Sequence, residues 1–152
     1  MNVDAKAFQA FLYAEIPMVE YMQLQLHDIK PRCLTATAPI APNINDKHTV
    51  FGGSSAALMT ICGWSLIKSQ LELAGLTNDV VIHQAKTHWQ QAQTDDLNIR
   101  VTFGEEVDWD VVLDRVNSNK RPVRLAVDCT VMNQQGDVCS SMTGHFVILK
   151  RP

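Results

Sequence analysis

From Thr49 to Ile67 the chain runs 19 positions without a charged residue, and this run constrains the fold more than any other feature. Its length would suffice to cross a bilayer. However, Gly52, Gly53, Ser54, Ser55, Thr60, Gly63 and Ser65 fall inside it, too polar a set for a lone lipid-facing helix, and no second segment resembles it. The better reading is a helix buried inside a soluble domain, from about Gly53 to Ala74 and closed by Gly75. Its apolar residues (Ala56, Ala57, Leu58, Met59, Ile61, Cys62, Trp64, Leu66, Ile67, Leu71) fall almost all round the axis. Such a helix must be surrounded, and a curved sheet is the usual way to surround one.

The remaining sequence supplies strands for that sheet. Asp4 caps an expected short helix over residues 5–14, and Pro17 separates it from two extended stretches. Met22, Leu24 and Leu26 alternate with polar neighbours, as do Leu34, Ala36, Ala38 and Ile40, with a hairpin turn expected at Lys30-Pro31-Arg32. Val81, Ala85 and Trp89 are expected on one face of a long strand, and Leu97, Ile99, Val101 and Phe103 keep a period of two. Asp108 caps an expected helix over 109–117, with Val112, Leu113 and Val116 inward. Val123 to Val131 alternate up to a turn at Asn133-Gln134-Gln135-Gly136, and 138–149 return. One central helix against about six antiparallel strands is an α+β arrangement. A single sheet layer in a short chain is poorly covered, so pairing with a second copy is expected.

With 152 residues, 46% apolar and 19% charged, the expectation is one globular domain spanning 1–152. A net charge of −3 argues against a nucleic-acid partner, which would demand a clustered basic surface. The opening residues lack a basic, apolar leader, and the four cysteines (Cys33, Cys62, Cys129, Cys139) lack C-x-x-C spacing. The expected location is cytoplasmic, with reduced, packed thiols, although Cys129 and Cys139 could face each other across a hairpin. No membrane partner and no cofactor are expected.

The window with most chemistry in it is Asn43-Ile44-Asn45-Asp46-Lys47-His48-Thr49-Val50-Phe51-Gly52-Gly53-Ser54. A loop rich in amides runs through two glycines into a helix start, where N–H groups are unpaired and a partial positive charge collects. Two glycines let a ligand approach that backbone. Aimed at a thioester carbonyl, the N–H groups would stabilise the oxyanion formed on hydrolysis, and Asn45 could hold the water or the carbonyl. The plain alternative is a tight turn with asparagines as caps.

The window and the apolar helix after it resemble the hotdog-fold thioesterase superfamily, in which an Asn some six residues before a His-Gly-Gly element opens the central helix. Ala41-Pro42-Asn43-Ile44-Asn45, Phe51-Gly52-Gly53-Ser54 and Gly63-Trp64 are closer still to the thioesterase domain that some bacteria fuse behind an acetyltransferase domain. The resemblance implies a hotdog fold and an acyl thioester substrate, acyl-CoA or another carrier. It also implies a homodimer or dimer of dimers in which strands near residues 80–92 pair across a two-fold axis, with the acyl tail beside the helix. Phe51, Gly52, Ser54 and His83 are then candidate substrate contacts, and Asn45, Gly53, Thr60 and His48 candidate catalytic residues.

Two departures from that pattern stand out. Phe51 replaces the usual His, and Thr60 stands where those enzymes carry an acid. A threonine is no base at neutral pH without activation. His48 could serve as a general base near its ordinary pKa, although a loop histidine is more often simply solvated. His83 is expected on the face of Val81, Ala85 and Trp89, and His88 on the other. The histidines show no zinc spacing, so no metal is expected. Ser54 and Ser55 lie in no nucleophile element. Lys86, Arg100, Lys120, Arg121 and Arg124 are candidate cations for CoA phosphates, but Gln90-Gln91-Ala92 replaces an Arg-Pro common in related chains. The alternatives are a non-catalytic acyl-binding protein and, ranked last, an enoyl-thioester hydratase.

Overall fold

The structure is a computed structural model that describes residues 3–152. Its centre is α3 (Gly52–Leu73), 22 residues long, wrapped by a six-stranded antiparallel sheet in the order β1-β2-β4-β5-β6-β3. The strands are β1 (Gln25–Lys30), β2 (Cys33–Ala38), β3 (Val80–Trp89), β4 (Leu97–Phe103), β5 (Val123–Met132) and β6 (Val138–Ile148). This is the hotdog arrangement, and the expected α+β class holds. Three shorter helices complete it: α1 (Ala5–Glu15), α2 (Pro17–Tyr21) and α4 (Trp109–Ser118).

The period of two places one row of each strand against α3. Leu34, Ala36 and Ala38 of β2, Leu97, Ile99 and Val101 of β4, and Val127, Cys129 and Val131 of β5 are all buried with Leu58, Met59, Cys62, Leu66 and Leu71 of the helix. Gly63 sets how closely the helix lies on the sheet. A Cβ there would stand 2.9 Å from a Val127 methyl and 3.1 Å from the Phe146 ring. The helix ends as a Schellman motif, with Leu76 N–H donating to Leu71 O (2.9 Å), Gly75 N–H to Glu72 O (2.9 Å), and Gly75 at φ +77°. Asp108 caps α4 as expected, accepting from the N–H groups of Asp110 and Val111.

Four details differ from the sequence expectations. Pro17 does not only separate α1 from a strand; at N1 its fixed φ starts α2, and Met22 ends that helix instead of opening β1. A bulge at His27 lets Leu26 and Ile29 both face inward, although they are three apart. A second bulge, between Ile82 and Gln84, leaves His83 unpaired. That shift puts Ala85, Thr87 and Trp89 opposite Gly144, Met142 and Ser140 and Val81 opposite Val147, so Val81 does not share their strand face. His83 therefore does not share a regular strand face with Val81, Ala85 and Trp89. Finally, α3 is not wholly enclosed: Gly53 is exposed, and Ala56, Ala57, Thr60, Ile61 and Trp64 form a half-buried stripe. All four cysteines are free thiols, and Cys139 does not pair with Cys129.

Candidate functional site

The loop before α3 is built by two asparagines with different tasks. Asn43 is buried, and its amide N–H groups donate to Met22 O (3.0 Å) and Pro39 O (2.8 Å), tying the loop to the end of α2. Its backbone carbonyl accepts from Phe51 N–H (2.8 Å), which fixes the residue just before the helix. Its Oδ1 is the one buried side-chain acceptor without a partner among the described residues. Asn45 closes the turn that follows. Its Oδ1 accepts from Lys47 N–H (2.9 Å) and Thr49 N–H (3.0 Å), and its Nδ2 donates to Thr49 Oγ1 (2.9 Å). A carbonyl oxygen with two donors has both lone pairs occupied. Asn45 thus retains one amide N–H and no spare acceptor.

Phe51, extended at φ −65° and ψ 126°, delivers the chain into α3 without a side-chain cap. Ser54 and Ser55 donate their N–H groups back to Phe51 O. Among the described residues, neither the Gly52 N–H nor the Gly53 N–H meets a hydrogen-bond partner. The Gly52 carbonyl, in contrast, is fully engaged, accepting from Trp89 Nε1 (3.1 Å) and Ser55 Oγ (3.1 Å). These bonds hold the helix tip against the end of β3. A Cβ at Gly52 would stand 3.0 Å from Trp89 Nε1, and one at Gly53 would strike the Phe51 ring at 2.5 Å.

Two openings flank this tip. The first, about 400 Å³, lies between Val50, Gly52, Ser55, Trp89, the run from Gln90 to Gln93, and Ser140. Its lining holds amides, hydroxyls and an indole but no charged side chain. The second, about 490 Å³, follows the half-buried stripe of α3 past Ala57, Thr60, Ile61 and Trp64, with Val80, Val81, Ile82 and Phe146 opposite and Ile16 beside them. Its lining is apolar except for Thr60 and the indole N–H of Trp64, and the latter donates to Val80 O (2.8 Å). Thr60 Oγ1 donates to Ala56 O (2.8 Å), a bond back into its own helix. One helix therefore presents free N–H groups at its tip and an apolar groove along its flank.

The residues singled out from sequence are distributed unevenly over this arrangement. Gly52 lines the first opening and Thr60 the second. Gly53, Ser54 and Phe51 surround the helix tip, with Phe51 54% exposed. Asn45 and His48 lie in the preceding turn, where His48 adopts φ +62° and is exposed, and neither lines an opening. His83 stands exposed at the β3 bulge, outside both openings. Asp46 pairs with Lys47 at 2.8 Å, and that ammonium holds its carboxyl below the ordinary value. Lys120 and Arg121 share a surface cleft with Arg115 near the start of β5, whereas Lys86 stands on exposed β3. Among the described residues no three His, Cys, Asp or Glu side chains gather as metal ligands, and no helix is long and apolar enough to cross a membrane.

Sequence reasoning missed Ser55, Trp89, Gln93 and Ser140 as lining groups. Trp89 was assigned by simple alternation, and a bulge cannot be read from alternation. Gln93, 4% exposed, carries a signal only in retrospect: its amide donates to Asp96 O and Met132 O, anchoring the segment that follows β3.

The model of the family described as "Putative thioesterase (yiiD_Cterm)" matches residues 5–150. The chain belongs to this family. Among solved structures, a "putative thioesterase" from Shewanella oneidensis is 25% identical with a TM-score of 0.83, covering 95% of this chain and 96% of that one. A protein of unknown function from Chlorobaculum tepidum superposes with a TM-score of 0.87 at 20% identity, over 97% of this chain and 94% of that one. A thioesterase from Haemophilus influenzae gives 0.78 at 11% identity, over 99% and 93%. The last two likenesses concern the fold alone. Family membership supports thioester hydrolysis as the general class of activity.

Proposed function

We propose that residues 1–152 act as one acyl thioester hydrolase domain, with acyl-CoA as the first substrate to test. The observation that carries the reading is the pair of unpartnered N–H groups at Gly52 and Gly53, set between an uncharged polar cleft and an apolar groove. Water adds to the thioester carbonyl carbon, the C–S bond breaks, and carboxylate and thiol are the products. The oxyanion that forms on the way is where two preorganised N–H donors help most. Ser54 and Phe51 shape the approach to that carbonyl. The uncharged cleft suits the amide-bearing arm of the carrier, and the groove suits the acyl tail.

Asn45 enters this scheme as a donor. With both acceptor positions spent, its free amide N–H can hold a carbonyl but cannot draw a proton from water. Thr60 Oγ1 donates to Ala56 and keeps lone pairs for a ligand. Neither His48 nor His83 lines either opening of one protomer, so the water's proton goes to one of them only where a second copy brings it to the carbonyl.

The seam near His83 is completed by a second copy. β3 is the sheet edge, nearly all exposed, with Val81 at 43% and Ile82 at 40%. The other edge, β1, is bridged by Val3 and packed by α1, whose Gln9 accepts from Leu26 N–H. A long apolar edge left open invites pairing with another strand. The proposed homodimer joins β3 to β3, in a cytoplasmic protein of bacterial type.

A second reading has its own support: neither opening is lined by Asp, Glu or His. A binder that holds acyl thioesters without cleaving them fits that lining. Thiol release across an acyl-CoA panel separates the two. Hydrolysis slowed by Asn45→Ala in folded protein supports the proposal. Saturable binding without thiol release over the whole panel rejects it in favour of the binder.

A further inference from the structure

The groove lies between α3 and the start of β3, and at the level of Trp64 an indole held by a hydrogen bond and two aromatic neighbours bridges its two walls. Trp64 is the last α3 residue to line the groove. Its Nε1 donates to Val80 O at 2.8 Å, so the ring bridges the helix to the start of β3. Behind it lie Phe11, stacked at 6.3 Å between centroids and 7° between planes, and Phe8, also at 6.3 Å. Ile16, from the junction of α1 and α2, closes the same corner. A ring fixed by a hydrogen bond and two aromatic neighbours does not swing aside as a lone side chain does.

We infer that Trp64 is a specificity-determining residue that sets the longest straight acyl chain the groove accepts. This rests on the proposed thioester site, because it starts the acyl chain at the Gly52-Gly53 tip. From Gly53 to Trp64 the helix advances about 16 Å at about 1.5 Å per residue, the length of a straight chain of about a dozen carbons. The occupant is an unbranched saturated chain on three grounds. The groove carries no charged side chain, its one hydroxyl is bonded within its helix, and it leads away from the free N–H groups along the same helix. Chains shorter than the groove leave apolar wall exposed, and chains longer than it must bend at Trp64 or leave the groove. Ala57, at the near end, is the complementary position, where added bulk shortens the space without touching the clamp.

The test measures two quantities over a series of straight chains from about four to about eighteen carbons, a range in which each methylene is worth severalfold. One is kcat/KM for acyl-CoA hydrolysis. The other is calorimetric affinity for S-alkyl-CoA thioethers, which cannot be hydrolysed and so report length without turnover. Wild type is expected to tighten about tenfold per added pair of carbons up to about twelve and to weaken beyond. Trp64→Leu should move that maximum to longer chains and Ala57→Leu to shorter ones. If Trp64→Leu does not fold, Trp64→Phe, which removes the bond to Val80 O and shortens the ring, decides by the same shift. Thioether affinities that do not depend on length, or maxima unmoved in the folded variants, overturn the inference. Length-dependent thioether binding without any thiol release overturns the hydrolase reading and leaves the inference standing.

Discussion

The two ends of α3 are finished in opposite ways. At the C-terminal end the protein supplies partners of its own: Ala74, Gly75 and Leu76 donate back to Gln70, Glu72 and Leu71, and Leu66, Ile67 and Leu71 are fully buried. At the N-terminal end Gly52 and Gly53 keep their N–H groups free, no side chain caps the helix, and the flank from Ala56 to Trp64 is half-buried. Both ends belong to one helix in one core, so general instability does not explain the difference. An end whose polar groups the protein leaves unpaired, beside two openings, is an end held ready for something else. Leu58, Met59 and Cys62 carry the core into the N-terminal half, so the contrast is confined to the tip and the exposed stripe, where the proposed function puts the thioester.

That division can be broken experimentally. The largest effect should come from Leu66→Ala, which removes a fully buried side chain from the finished half. It should cost about 2–5 kcal/mol of stability in denaturant titrations while leaving thiol release per folded molecule unchanged. A loss of turnover without a loss of stability would contradict the division. Alkali should sharpen it next. Burial pushes the Cys62 thiol from the ordinary value of 9.0 up to about 12, and burial also raises Cys129. Because the unfolded chain gives up these protons first, their contribution is fully present below pH 9. For Cys62 it is lost as pH rises from about 9 to about 12, by up to tenfold in the folding equilibrium per pH unit. Cys62→Ala should flatten that decline in pH-dependent melts. A smaller effect is expected at Gly75, where φ +77° suits glycine. Gly75→Ala should cost about 1 kcal/mol and leave substrate affinity untouched.

Much of the fold was legible because its signals are periodic and local. The uncharged run fixed α3 to within a residue at each end, and alternation in Leu97–Phe103 and Val123–Val131 gave two strands with their correct inward faces. Pro17 misled because proline both breaks a helix and begins one, and the next residues decide which. The bulges at His27 and His83 left no trace in alternation, since each adds one residue that only the partner strand reveals. At the candidate site the double glycine was legible as a close-packed helix start, but sequence alone could not separate a tight entry turn from a ligand site, and the structure shows that Trp89 and Phe51 already crowd both positions. Asn45 did not: its amide is legible as polar, but only coordinates show that Lys47 and Thr49 occupy its acceptor. The lining from Trp89 to Gln93 also escaped, because it comes from a segment nearly forty residues away that only the sheet order brings back.

Two substitutions at Gly52 isolate the central claim. Gly52 is the first helical residue, and Phe51 before it is extended, so proline is sterically admissible there and removes only the N–H that points out of the helix. Gly52→Ala adds a comparable Cβ beside Trp89 and keeps that N–H. With both proteins folded to the same extent, kcat for the most active acyl-CoA should be about 10²- to 10³-fold lower in Gly52→Pro than in Gly52→Ala. Equal turnover in the two would contradict the account, because the Gly52 N–H would then donate nothing to the reacting carbonyl.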